Sequence, residues 1–262
     1  MNIVVCVKAV PDMESDFKVS SDHLHIETSD LIYKMNSFDE YAVEVALQLK
    51  EKLSGEVLIV SLGGEETKHI MRKAFAMGAD RGVLINDPQC ADSDALSLAK
   101  LIKAAIGDFA FDLILTGVQA DDDAQSQFGP ILATELGITH ATVVAHLETS
   151  AGKEFLVKRE LEGGAFEIVR LATPCLFTVQ TGINTPRYPS LPGIMKAKKK
   201  EIKELNLTSL GLSPQDVGKN GAHIERVALE LPREESLAEI LQGSPKEIAR
   251  NLIIKLKERK VF

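Results

Sequence analysis

Over its first half the chain alternates short, unbroken apolar runs with amphipathic stretches. Asn2 to Val7, Val57 to Ser61, Gly82 to Ile85 and Phe111 to Leu115 are apolar without alternation. Strands buried on both faces of a parallel sheet carry that pattern. Between them, Ser37 to Lys52 places Ala42, Val45, Ala46 and Leu49 at helical spacing. Ser37 followed three residues later by Glu40 reads as a capping box for that helix. Glu65 to Met77 reads as a second helix closed by Gly78, and a third runs from a cap at Asp92 to about Ile106. Ile131 to Leu136 supplies the apolar part of a fourth. Strand and helix alternating four times predicts an α/β fold: a doubly wound parallel sheet with helices on both faces, Rossmann-like in plan.

After His140 the texture changes. Thr142 to Leu147, Glu154 to Glu160, Glu167 to Leu171 and Leu176 to Val179 are strand-like, with turns at Ser150 to Gly152 and at Gly163 and Gly164. They read as an extension of the sheet with extra antiparallel strands. Phe17 to Glu27 reads as a small hairpin. Asn184 to Pro192 is proline-rich and reads as irregular. From about Leu205 the pattern is that of an arm: a loop, a strand-like Val227 to Leu231 and two short helices, the last opened by Ser244 and Pro245. Ile248, Leu252 and Leu256 stripe that helix, and a stripe with so little core of its own needs another surface to lie on. The expected division is a body over residues 1–204 and an arm over 205–262.

Hydrophobic residues make up 45% of the 262, enough for a core of this size. The net charge of −8 argues against a nucleic-acid partner. Cys6, Cys90 and Cys175 lack metal-site spacing; Cys6 and Cys175 lie in apolar runs, which fits reduced thiols and a cytoplasmic setting. Met1 leads directly into a strand, so no targeting segment is expected, and no apolar run approaches the roughly 18 residues that span a bilayer. Catalytic patterns are absent: the six histidines are scattered and no nucleophile motif appears.

The chemistry lies instead at the carboxyl edge of the sheet, where such folds bind ligands. Four segments are expected there: Val7 to Val10, Asn36 to Asp39, Leu62 to Glu65 and Gly117 to Gln127. The last is the most informative. A strand breaks at Gly117, Asp121, Asp122 and Asp123 follow, then small and amide residues, Gly129 and a helix. A phosphate would rest on the N–H groups of Gln125 to Gly129, where the helix dipole favours an anion. Because carboxylates repel phosphate, the expectation is that one acid caps the helix, one meets ribose hydroxyls and one faces solvent or a cation. With no general base or activated nucleophile in view, the site suits a nucleotide that is held rather than turned over. A second feature is a basic knot, Lys196 and Lys198 to Lys200, next to apolar Leu191, Ile194 and Met195. An apolar anchor beside steering charge looks like a docking element.

Residues 184–200, NTPRYPSLPGIMKAKKK, closely resemble the signature of the electron transfer flavoprotein beta subunit. So do Gly78 to Gly82, Met35 to Phe38, Val157 to Glu160 with Gly163 and Gly164, and Gly117 to Ala133, in matching order over roughly Met1 to Lys200. The resemblance implies an electron carrier rather than an enzyme, with no catalytic residue of its own. It implies a heterodimer with an alpha subunit that holds most of the redox FAD, while the beta subunit buries an adenine nucleotide, AMP in the common members. Carried over by position, the nucleotide residues are Cys6, Asn36, Ser37, Phe38, Asp39, Leu62 and Asp122 to Ala133, that is Asp122, Asp123, Ala124, Gln125, Ser126, Gln127, Phe128, Gly129, Pro130, Ile131, Leu132 and Ala133. Leu191 becomes the anchor for a partner dehydrogenase such as an acyl-CoA dehydrogenase, with Ile194, Met195, Lys196 and Lys199 around it. The arm after Leu205 resembles one that wraps the partner subunit.

The chain departs from the family pattern at Val118, where a lysine is usual, at Asp121, where an apolar residue is common, and at Ala124, where an acid or glycine is common. A branch of the family holds a second FAD in place of AMP and bifurcates electrons, and that reading stays open here. So do a stand-alone nucleotide-sensing module and an enzyme acting on the nucleotide, the latter disfavoured by the missing base and nucleophile.

Overall fold

The computed structural model describes residues 1–232 and 238–261. Its centre is a nine-stranded sheet in the order β11-β5-β4-β1-β6-β10-β7-β8-β9. The strands are β1 (Asn2–Cys6), β4 (Glu56–Leu62), β5 (Arg81–Ile85), β6 (Leu113–Gly117), β7 (Thr139–Glu148), β8 (Glu154–Glu160), β9 (Phe166–Ala172), β10 (Cys175–Val179) and β11 (Ile202–Leu205). From β11 across to β7 every pairing is parallel; β8 and β9 then add an antiparallel hairpin. The unbroken apolar runs have the expected cause: β4 buries Val57 to Ser61 and β10 buries all five of its residues, covered on both faces.

Helices α1 (Ser37–Leu53) and α2 (Glu65–Met77) cover one face, sharing a core with Ile3, Val5, Ile59, Leu115 and Phe177. Helices α3 (Ala95–Ile106) and α4 (Phe128–Leu136) cover the other, around Val4, Val60, Ile114 and Leu176. The chain winds from β1 through β4 to β5 on one side, then returns to place β6 on the other side of β1. The direction of winding thus reverses between β1 and β6, and a crevice opens beyond their carboxyl ends.

Several local expectations are corrected. The Phe17 to Glu27 hairpin shrinks to a single bridge between Val19 and Ile26. The ribbon in this region is made instead by β2 (Ala9–Pro11) and β3 (Tyr33–Met35). Ser37 and Glu40 form no capping box: the cap residue of α1 is Asn36, and Glu40 accepts from Lys73. Asp94, not Asp92, caps α3, its Oδ1 accepting from Ser97 N at 2.8 Å, while Asp92 has a left-handed φ of 58°. The proline-rich stretch becomes helical at its end, as α5 (Leu191–Ala197), which starts at a Ser190 cap.

Beyond residue 204 the chain does not leave the body at once. After β11 come α6 (Leu207–Leu210) and α7 (Gly218–Gly221), and Leu207 and Val217 are buried in the α3–α4 core. Val227 to Leu231 is not a strand; Leu229 N donates to His23 O at 2.7 Å and the segment lies along the 17–27 loop. The final helix, α8 (Pro245–Glu258), opens at Ser244 and Pro245 as expected, and Ser244 and Glu247 form a capping box. It leaves Leu252, Ile253 and Ile254 about half exposed. The earlier of the two short helices has no counterpart in residues 238–244, and residues 233–237 lie outside the described ones.

Candidate functional site

The crevice is built around Asp39. Position three of α1 carries this carboxylate into the gap between β1 and β6, where Oδ2 accepts from Lys8 N at 2.8 Å and Oδ1 from Gly117 N at 3.0 Å. Gly117 has no room for a side chain, because a Cβ there would meet Asp39 Oδ1 at 2.5 Å and Phe38 Cβ at 2.6 Å. Asp39 is 5% exposed, and burial pushes its carboxyl up to about 7, outweighing the hydrogen bonds it accepts. Cys6 lies beside it, buried; burial first and the Asp39 charge second raise the thiol well above its usual range, so it is no thiolate.

Asn36, 1% exposed, ties the next turn. Its Nδ2 donates to Gln119 O at 2.8 Å and its Oδ1 accepts from Asp121 N at 3.0 Å. Asp121 then reaches back to α1: its Oδ2 accepts from Ser37 N at 3.1 Å and from Ser37 Oγ at 2.7 Å. One acid of the run does cap a helix, then, but the helix is α1, not α4; the cap residue of α4, Gln127, makes no side-chain capping bond. Asp122 and Asp123 both face Lys8, whose Nζ lies 2.7 Å from Asp122 Oδ1 and 3.0 Å from Asp123 Oδ2. Burial works against the Lys8 charge, and the attraction of the two acids outweighs it, so its pKa is raised. Asp121 and Lys8 lie in the edge segments expected from the sequence, but neither is among the nucleotide residues that the resemblance implies. The lysine lies in plain view two residues past β1, but only the fold shows which acids it meets.

Four helices begin at or near this edge, and their first N–H groups fare differently. Asp121 takes that of Ser37 at α1, Glu66 Oε1 takes Gly64 N at α2 (2.9 Å), and Asp94 takes that of Ser97 at α3. At α4, among the described residues, no acceptor meets the N–H groups of Ser126, Gln127, Phe128 or Gly129. Ala124 and Ser126 hold left-handed φ values of 50° and 56°, which turns the chain so that successive N–H groups converge as an anion nest. Ala124 to Gln127 are exposed, Phe128, Pro130 and Ile131 partly so, and Leu132 and Ala133 are fully buried beneath the helix with no surface toward the crevice. Gly129 is required by packing: a Cβ would strike Thr178 Cγ2 and lie 3.0 Å from Thr116 Oγ1. The close approach is therefore helix to sheet. Leu62, half-buried, ends β4 on the far side of β1. A groove of about 650 Å³ between α1 and β7–β8, lined by Leu49, Leu147 and Leu156, is separate from this crevice.

The second candidate region is the α5 tip. Leu191 is 80% exposed and Met195 63%, with Ile194, Lys196, Lys198 and Lys199 also exposed. Lys200 differs from its neighbours: its Nζ donates to Ala79 O and lies 5.7 Å from the centre of the Phe75 ring, and burial lowers its pKa. It anchors the loop rather than charging its surface.

Fold and crevice together define a doubly wound α/β protein with an open anion nest at its switch point. The model of the electron transfer flavoprotein domain matches residues 23–210. The chain is 39% identical to the electron transfer flavoprotein subunit beta of Bacillus subtilis, over all of both chains. It is 34% identical to the human subunit of that name, over 98% of this chain and 97% of that one. It is 33% identical, again over both whole chains, to the acryloyl-CoA reductase electron transfer subunit gamma of Anaerotignum propionicum. The chain belongs to the electron transfer flavoprotein family, among its beta subunits. Membership brings association with a flavin-bearing heterodimer and a role in electron transfer. Among the described residues no helix is long and apolar enough to cross a membrane.

Proposed function

We propose that this chain is the beta subunit of a cytoplasmic, heterodimeric electron transfer flavoprotein that holds AMP as a structural nucleotide at the β1–β6 crevice, while FAD is carried mainly on the alpha subunit. The observation that carries the AMP reading is the open nest at Ser126 to Gly129. A monophosphate needs one such set of donors. The diphosphate of FAD needs more, and Lys8 N, Ser37 N and Gly64 N beside the nest are already taken by Asp39, Asp121 and Glu66. Lys8, the cation at the mouth, is engaged by two carboxylates. Asn36 to Phe38 and Asp122 to Ile131 surround the nucleotide, with Cys6 and Leu62 at its margins. No group in the crevice is set up to attack the nucleotide, which favours holding over turnover.

The exposed Leu191, with Ile194 and Met195 beside it and Lys196 and Lys199 at the rim, receives a partner dehydrogenase. The Anaerotignum relative serves an acryloyl-CoA reductase, which supports a partner of the acyl-CoA dehydrogenase class. Residues 238–261, ending in α8, lie on the alpha subunit. Denaturing the purified complex and counting its cofactors tests the reading: one FAD and one AMP per heterodimer is expected, and two FAD with no AMP would replace it with the bifurcating form.

A further inference from the structure

The exposed tip stands on two legs, and each leg is fixed to a different helix. The outgoing leg, residues 197–200, is held by α2: Arg72 Nη1 donates to Ala197 O at 2.9 Å and to Lys200 O at 3.3 Å. The incoming leg is held by α1. Asn184 Nδ2 donates to Tyr41 O at 3.1 Å. Three residues on, Arg187 Nε donates to Glu44 Oε2 at 2.8 Å, its Nη2 to Glu44 Oε1 at 3.0 Å, and its backbone N to Glu44 Oε2 at 3.2 Å. The other edge of the guanidinium grips Glu51, two turns along the same helix. Glu44 is the buried member, with a side chain only 4% exposed. Between the legs stand Tyr188, 95% exposed, and Leu191, 80% exposed, the latter on the first turn of α5, which packs on α2.

We propose that Arg187 is a positioning residue for docking, whose two-carboxylate fork fixes the incoming leg on α1 and so presents the Leu191 tip in one orientation. This rests on the reading of residues 184–200 as the docking element. The geometry suits the task. A planar guanidinium gripping two carboxylates on one rigid helix fixes direction as well as distance, which a lysine ammonium does not. A tip ordered before encounter loses less freedom when it binds, so the gain falls on association with the partner and not on the redox step. The charge of Glu44 cannot be left alone in its buried position, which ties the two residues together as one device.

The test is run on the complex with the alpha subunit. Because Arg187→Gln alone strands a buried carboxylate, the variant of choice is the double Glu44→Gln/Arg187→Gln. Amide hydrogen exchange of residues 188–196 is expected to quicken about tenfold, with α2 unchanged. In steady-state reduction by an acyl-CoA dehydrogenase, KM for the dehydrogenase is expected to rise about tenfold with kcat within about twofold, and the flavin spectrum to stay the same. Unchanged exchange overturns the positioning role. Faster exchange with an unchanged KM also overturns the proposal, through the docking reading on which it rests. Should the double variant fail to assemble, Arg187→Lys, which keeps the charge and loses the fork, gives the same readouts.

Discussion

The crevice between β1 and β6 and the tip around Leu191 are both polar–apolar surfaces, wired in opposite ways. In the crevice nearly every polar group is spoken for: Asp39 holds two backbone N–H groups, Asn36 a carbonyl and an N–H, Asp121 the start of α1. Left open there is a patch of N–H donors at the start of α4. At the tip the wiring is beneath the surface, in Arg187, Arg72 and Lys200, and what is left open is apolar. A preformed polar nest suits a ligand that stays. Exposed leucine and methionine on a braced base suit a partner that arrives and leaves.

The contrast can be broken most forcefully at Gly129. Gly129→Val drives a side chain into Thr178 and Thr116, and is expected to cost about 3 kcal/mol and empty the nest. Thermal denaturation and the AMP content of the purified complex measure both; normal AMP content would contradict the cradle.

Next in size is the charge on Asp39. Its folded pKa of about 7 lies above the ordinary carboxylate value, so the folded chain holds its proton over a pH range where the unfolded chain has released it. The stability this lends is complete below about pH 4 and is lost as pH rises through 7. Asp39→Asn should remove roughly 2 kcal/mol of pH dependence between pH 5 and 7.5. Urea unfolding of both proteins at the two pH values shows it; parallel profiles would mean that Asp39 is ionised throughout.

Lys8→Gln leaves Asp122 and Asp123 without their cation next to the nest. AMP affinity, read by titration calorimetry of the apo complex, is expected to fall about tenfold. Stability should move by less than about 1 kcal/mol, because the pair is partly solvated. Leu191→Ala sharpens the comparison from the other side. It touches no nucleotide ligand, so AMP content should hold and stability shift by less than about 0.5 kcal/mol, while reduction by the dehydrogenase slows. Unchanged partner kinetics would remove the docking role from the tip.

The parallel sheet was legible because burial on both faces writes itself into contiguous apolar runs such as Val57 to Ile59. The open nest was legible because strand, loop, Gly129 and helix follow one another in the chain. What escaped depends on distance. Ser37 looks like a helix cap until Asp121, 84 residues later, takes its hydroxyl. Asp92 and Asp94 offer the same capping chemistry, and only the backbone turn at Asp92 decides between them. Strand β11 is missed because an edge strand with Lys203 and Glu204 exposed carries no apolar run. Helix α5 is missed because prolines suggest irregularity, although Pro192 sits in a first turn that needs no donor from it.

The position of β11 has a mechanical consequence. The tip lies on the connection that leaves β10 near the middle of the sheet and returns as β11 at its outer edge, paired to β5 over Ile202 to Leu205. A bound partner that drifts or rotates therefore loads two points of one rigid plate, its centre and its rim. The rim end is a four-residue parallel seam, with Arg72 and Lys200 as the fasteners ahead of it.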